Sequence, residues 1–154
     1  MSPTPDATPA RLRTIPSRLL AGAAGVADRL VGERLAAEGA RKWHFAVLVA
    51  LDEAGAASQA ELSRRTGIFR SDMVAVLNEL AEDGHIRREP DPADRRRNVI
   101  TLTATGHRRL ERLDTLIADA QRELLVPLTS GQRDELTRLL TVLTEHHRPP
   151  HDAS

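Results

Sequence analysis

The 154 residues contain no cysteine and no tyrosine, one tryptophan and two phenylalanines. Without cysteine there are no disulfides, no thiolate metal sites and no sensing by cysteine oxidation. Three aromatics, Trp43, Phe45 and Phe69, are too few for a surface that stacks single-stranded bases. Neither sign of charge is in excess, with 22 basic and 22 acidic residues, so total charge gives no argument for a polyanionic partner. Its distribution is less even: by formal charge residues 1–56 carry +1, 57–109 carry +2 and 110–154 carry −3. Local clustering matters more than the total for an electrostatic footprint. No apolar run approaches the length of a membrane span, and no membrane partner is expected. Leu19–Ala27, behind Arg11, Arg13 and Arg18, has the outline of a short signal-peptide core, but it is rich in Ala and Gly. Its periodicity also continues into Leu30, Val31 and Leu35, so it reads as a helix of a cytoplasmic protein.

Chemistry-bearing patterns are missing as well. No Ser-His-Asp set, phosphate loop or paired carboxylates in a cleft can be picked out, so an enzyme is not expected. His146, His147 and His151 sit in a fraying polar tail, where adjacent histidines point to different faces. They read as a flexible tail rather than a zinc site. His85 and His107 are isolated and read as surface or strand-edge residues. No metal and no cofactor is expected.

What is present is helical punctuation. Four of nine prolines lie in residues 1–16, a flexible arm. From Ser17 to Gly39, Leu19, Ala23, Val26, Ala27, Leu30 and Leu35 recur at helical spacing. Gly22, Gly25 and Gly32 cost propensity there, tolerable where another helix packs closely. A second helix, about 41–54, carries Trp43, Val47, Leu48 and Leu51 on one face. Ser58 and Glu61 make a capping box for a short third helix ended by Thr66-Gly67. A fourth helix runs to Asp83, with Met73, Leu77, Leu80 and Ala81 as its buried stripe and Gly84 as its stop. Two short helices joined by a tight turn make a helix-turn-helix.

The period then changes to that of strands. Residues 85–89 and 98–102, joined by 90–97, predict a β-hairpin wing. Leu110, Leu113, Ile117, Ala120 and Leu124 follow at heptad spacing. Thr129 with Gln132 caps a last helix bearing Leu136, Leu139, Leu140 and Leu143. The expected fold is mostly α with a small β-hairpin wing, a winged helix-turn-helix (41–104) within a helical frame (17–40 and 105–147), between an arm, 1–16, and a flexible tail, 148–154.

Three stretches carry a likeness that composition does not. They are Phe45-Ala46-Val47-Leu48 leading into 58–63, the run Leu80-Ala81-Glu82-Asp83-Gly84 through Arg88, and Asp91-Pro92-Ala93-Asp94-Arg95-Arg96 followed by Leu102-Thr103 and Gly106. In this order they resemble the MarR family of bacterial transcription regulators. The resemblance implies a homodimer on double-stranded DNA, with 17–40 and 105–147 as a helical dimerisation frame and 41–104 as the DNA-binding region, a repressor at a palindromic operator, released by a small aromatic-acid effector. The apolar stripe 110–124 and the last helix agree with a dimer, since a lone domain would leave them bare. A winged-helix dimer serving as a protein-interaction module is the alternative, kept open by the zero net charge, Asp72 and the acidic Glu79, Glu82 and Asp83.

On the recognition helix the face opposite the buried stripe holds Arg70, Ser71, Val74, Ala75 and Asn78. Asn78 suits adenine, and Val74 and Ala75 suit thymine methyls. In the wing, Arg95, Arg96 and Arg97 suit the narrow minor groove, with Asp94 orienting Arg96. Arg87 and Arg88 are candidates for backbone phosphate, or for pairing with Glu89. The ligand cleft of relatives maps to Arg18, Arg41, Trp43 and His44, although Trp43 and Phe45 at helical spacing read first as core.

Overall fold

Glycines and hydroxyls set the helix ends. Gly67 (φ +75°) and Gly84 (φ +76°) adopt the left-handed conformation that stops a helix without a Cβ clash. Ser58, Thr103 and Thr129 each accept a backbone N–H three residues on, which satisfies an orphan donor of the first turn. In this computed structural model, which describes residues 7–150, the order is α1 (Pro16–Ala36), α2 (Lys42–Ala54), β1 (Ala57–Ser58), α3 (Gln59–Thr66), α4 (Arg70–Glu82), β2 (Ile86–Pro90), β3 (Asn98–Leu102), α5 (Ala104–Leu124) and α6 (Ser130–His146). Residues 1–6 of the expected arm, and His151 with the end of the expected tail, lie outside the described residues.

Several boundaries differ from expectation. Ala10–Leu12 form a single 3-10 turn. Pro16, expected to close the arm, is the first residue of α1, with Ile15 rather than Ser17 at the cap. A proline fits there because its missing N–H would have had no helical partner anyway. Ser58 Oγ accepts from Glu61 N at 3.2 Å, but the return half of the expected box is not made, and Glu61 faces Arg65 at 3.6 Å instead. The sheet has three strands in the order β1-β3-β2, all antiparallel. The expected hairpin is β2–β3, paired Ile86 to Leu102 and Pro90 to Asn98. The added strand β1 pairs Ala57 with Ile100.

The core lies where α2, α3, α4 and the sheet meet α5. Val47, Leu48, Leu62, Met73, Val76, Leu77, Ile100 and Leu113 are almost completely buried. The helix α5 starts inside this core and leaves it to run along α1, where Ala120 is also buried. Arg34 of α1 pairs with Glu123 at 2.6 Å, and Glu38 beyond α1 holds Arg112 at 2.8 Å. The stripe on α5 is therefore covered largely within the chain. The exposed apolar surface is elsewhere: α6 has no buried residue, and Leu19 and Val26 of α1 stand open to solvent. Among the described residues no other part of the chain comes within 4 Å of where a Cβ on Gly22, Gly25 or Gly32 would stand.

The junction between wing and α5 explains its own sequence. Thr103 Oγ1 donates to Gly84 O at 2.6 Å and accepts from Gly106 N at 3.0 Å. That draws the first turn of α5 onto the start of β2. A Cβ on residue 106 would stand 1.9 Å from His85 O, which only glycine avoids.

Candidate nucleic-acid interface

The turn between α3 and α4 is pinned from within. Thr66 Oγ1 donates to Leu62 O at 2.6 Å and accepts from Ile68 N at 3.3 Å, and the Ile68 side chain is buried. The helix α4 then buries Met73, Val76, Leu77 and Leu80. With 100° per residue this turns Arg70, Ser71, Val74, Ala75 and Asn78 outward, and all five are exposed. Asn78 is not independent of the wing: its Oδ1 accepts from Arg88 Nη1 of β2 at 2.6 Å. This bond across ten residues ties the wing's root to the outward face of α4. Arg87 lies 3.8 Å from Glu89.

At the wing tip Asp94 organises the arginines. Its Oδ1 accepts from Arg96 N at 3.1 Å and from Arg96 Nε at 3.2 Å, and Arg97 Nε lies 3.8 Å from Oδ2. The Arg96 hydrogen bonds hold the Asp94 carboxyl below its ordinary pKa. The Arg96 side chain itself is 91% exposed, so it is both held at its root and presented. Arg95 and Arg97 are also exposed. Their three cations project from one hairpin end, where a polyanion can meet them without first breaking a buried contact.

One of the acidic residues that keep the protein-interaction alternative open, Glu79, is neutralised within the chain. Glu79 of α4 meets Arg41 Nη2 through both carboxylate oxygens, at 2.7 and 2.6 Å, and His44 Nε2 at 2.5 Å. Arg41 N donates to His44 Nδ1 at 3.1 Å, so Nε2 carries the proton aimed at Glu79. The hydrogen bonds from Arg41, then from His44, lower the Glu79 pKa. Sequence patterning could not show this, because the partners are 38 and 35 residues apart.

Of the four expected cleft residues, three come together. Arg41 Cζ lies 5.9 Å from the Trp43 ring centre, Trp43 is half-buried against the core, and His44 is buried. Arg18 is exposed in the first turn of α1, and no contact joins it to the other three. A shallow concavity of about 420 Å³ lies on another face of α2, between Phe45, Val49, Ala50 and Glu53 and the end of α3 at Arg65 and Thr66. None of the four lines it. Among the described residues no three His, Asp or Glu side chains are grouped to hold a metal. His146 and His147 meet edge to face at 4.8 Å.

Comparison with known proteins bears on this surface. A model of the MarR family matches residues 40–97, from the start of α2 to the wing tip. A helix-turn-helix-type transcriptional repressor of Mycobacterium bovis, Mb2911, is 30% identical over 99 residues, 64% of this chain and 71% of that protein. The chain belongs to the MarR family. The chain spans only half the length of another curated relative, a putative transcriptional regulatory protein for the hcr operon of Thauera aromatica, with 32% identity over 83 residues, 54% of this chain and 50% of that protein. Solved MarR-type structures extend the likeness beyond the winged part. Sco3205 of Streptomyces coelicolor, a MarR family regulator in complex with DNA, has a TM-score of 0.79 at 25% identity, covering 96% of this chain and 94% of that one. The PcaV regulator of the same organism, in complex with its natural ligand, has a TM-score of 0.77 at 26% identity, covering 90% and 97%.

Proposed function

We propose that this MarR-family chain is a DNA-binding transcriptional regulator acting as a homodimer, a repressor at a palindromic operator. The observation that carries the reading is the Arg88–Asn78 hydrogen bond. It makes the outward face of α4 and the arginine-bearing wing one surface, with one element for the major groove and one for the minor. On it Arg70, Ser71, Val74, Ala75 and Asn78 meet base edges, Arg95, Arg96 and Arg97 meet the minor groove, and Asp94 orients Arg96. Arg87 and Arg88 lie between them, beside backbone phosphate. With Oδ1 on Arg88, Asn78 presents its two Nδ2 protons, which suit a purine N7 acceptor.

The dimer is supported by the apolar residues left uncovered. Leu136, Leu139, Leu140, Val142 and Leu143 of α6 and Ile15, Leu19, Leu20 and Val26 around α1 are all exposed. A second copy covers such a surface by twofold symmetry, each patch meeting its own counterpart. A small acid then regulates the dimer by binding better to a state with different spacing between the recognition helices. In this structure Arg41 and His44 are engaged by Glu79. An effector carboxylate at that place therefore competes with a carboxylate already on the recognition helix.

The test is selection of bound duplexes from a random pool, followed by titration of the winner at several salt concentrations. A palindromic winner, bound with affinity that falls steeply with salt, is expected. Failure to shift any duplex at low salt sinks the reading in favour of a protein-interaction module.

A further inference from the structure

Phe69 has no structural reason to be a phenylalanine. It occupies the cap position of α4 and offers no side-chain cap bond, whereas α3, α5 and α6 all carry hydroxyl caps. An apolar residue in place of Ser, Thr, Asp or Asn at a helix cap destabilises the helix. The ring recovers little by burial, for it is 77% exposed while its neighbour Ile68 fills the core at 6%. It adjoins Arg70 and Ser71 at the leading end of the outward face, and Val74, the other large apolar residue of that face, is 47% exposed.

We propose that Phe69, with Val74, reads pyrimidine methyl groups in the major groove, making it a specificity-determining residue outside the helix proper. The inference rests on the DNA-binding reading above. Thymine C5-methyl is the apolar group that an unmodified major groove displays, and a phenyl ring has nothing else there to bury against. The surrounding charge fits the same partner. Exposed Arg70 follows directly, and the exposed arginines of the wing belong to the surface joined to α4 through Arg88. A protein partner that the ring anchors instead is the outcome the experiment has to separate.

The experiment uses the full chain and the duplex selected from the random pool. Each thymine is replaced in turn by deoxyuridine, which lacks only the methyl group, and binding is measured for wild type, Phe69→Ala and Phe69→Ser. For the wild type, at least one replacement per half-site is expected to weaken binding about fourfold, the worth of one buried methyl. In both variants that loss is expected to vanish, with random-sequence binding unchanged. Phe69→Ser restores a capping hydroxyl, so it is expected to melt no lower than wild type. If no replacement weakens the wild type, or if the loss persists in the variants, the proposal is overturned while DNA binding stands. If no duplex is selected at all, the DNA-binding reading falls first and takes this inference with it.

Discussion

Single residues divide the work of the proposed interface. Arg96 stands at a hairpin tip with its root held by Asp94, and the minor groove rewards positive charge more than it distinguishes bases. Arg96→Ala is therefore expected to weaken specific and random DNA together and to lower the salt slope by about one phosphate equivalent. Asn78→Ala is expected to cost roughly 1–3 kcal/mol on the operator and to leave random-sequence binding nearly unchanged. Titrations of both variants on both DNAs at two salt concentrations check this, and an unaltered salt slope in Arg96→Ala would make the wing a spectator. Gly106 gives a stability prediction. Its absent Cβ is the clearance between α5 and the His85 carbonyl, and backbone cannot yield as a flexible side chain does. Gly106→Ala is expected to destabilise by roughly 2–3 kcal/mol, read as a lower denaturation midpoint at unchanged slope.

At the scale of elements, α4 is fastened to α2 by the Glu79 pair with Arg41 and His44. The Glu79 carboxyl has its pKa lowered, chiefly by the Arg41 hydrogen bond. A depressed carboxylate contributes stability that is whole above its unfolded pKa, near 4.5, and is lost as pH falls through the folded value. Arg41 and Glu79 are about half exposed, so the contribution is small, of the order of 1 kcal/mol or less. Melting of Glu79→Gln between pH 3 and 7 is expected to be flatter with pH than that of wild type below 4.5, and equal slopes would show the pair to be inert.

Elements differ in how much of them could be read beforehand. The helices α3 and α6 are legible because capping is local, Ser58 and Thr129 doing their work within three residues, and α5 is legible by its heptad spacing, although its cap Thr103 is not read beforehand. The outward face of α4 was legible because its apolar positions alternate with exposed ones. The strand β1 was not, since two residues carry no period and exist as a strand only through pairing with Val99 and Ile100. Nor were the Glu79 engagement and the Asn78–Arg88 bond, which depend on how elements lie against each other. The stripe on α5 is legible as apolar, but α1 and the core of the same chain cover most of it rather than a second copy, because periodicity marks a buried face without saying what buries it.

For the whole molecule, α6 is the part that makes least sense alone. It has no buried residue, and among the described residues no other element packs along it to any extent. Sedimentation is expected to show a dimer at micromolar concentration, and Leu139→Glu or Leu143→Glu is expected to dissociate it without unfolding the winged part. A wild type that sediments as a 16.9 kDa monomer would remove the palindromic-site mechanism as well. In the proposed dimer α5 takes on a mechanical role. Its 21 residues make a rod about 31 Å long, wedged at one end against His85 and laid at the other along α1. A pivot of about 5° at the far end would carry the hairpin root sideways by about 3 Å, close to the 3.4 Å rise of one base step. An adjustment too small to repack a core is thus large enough to put the wing out of register with the groove proposed for it.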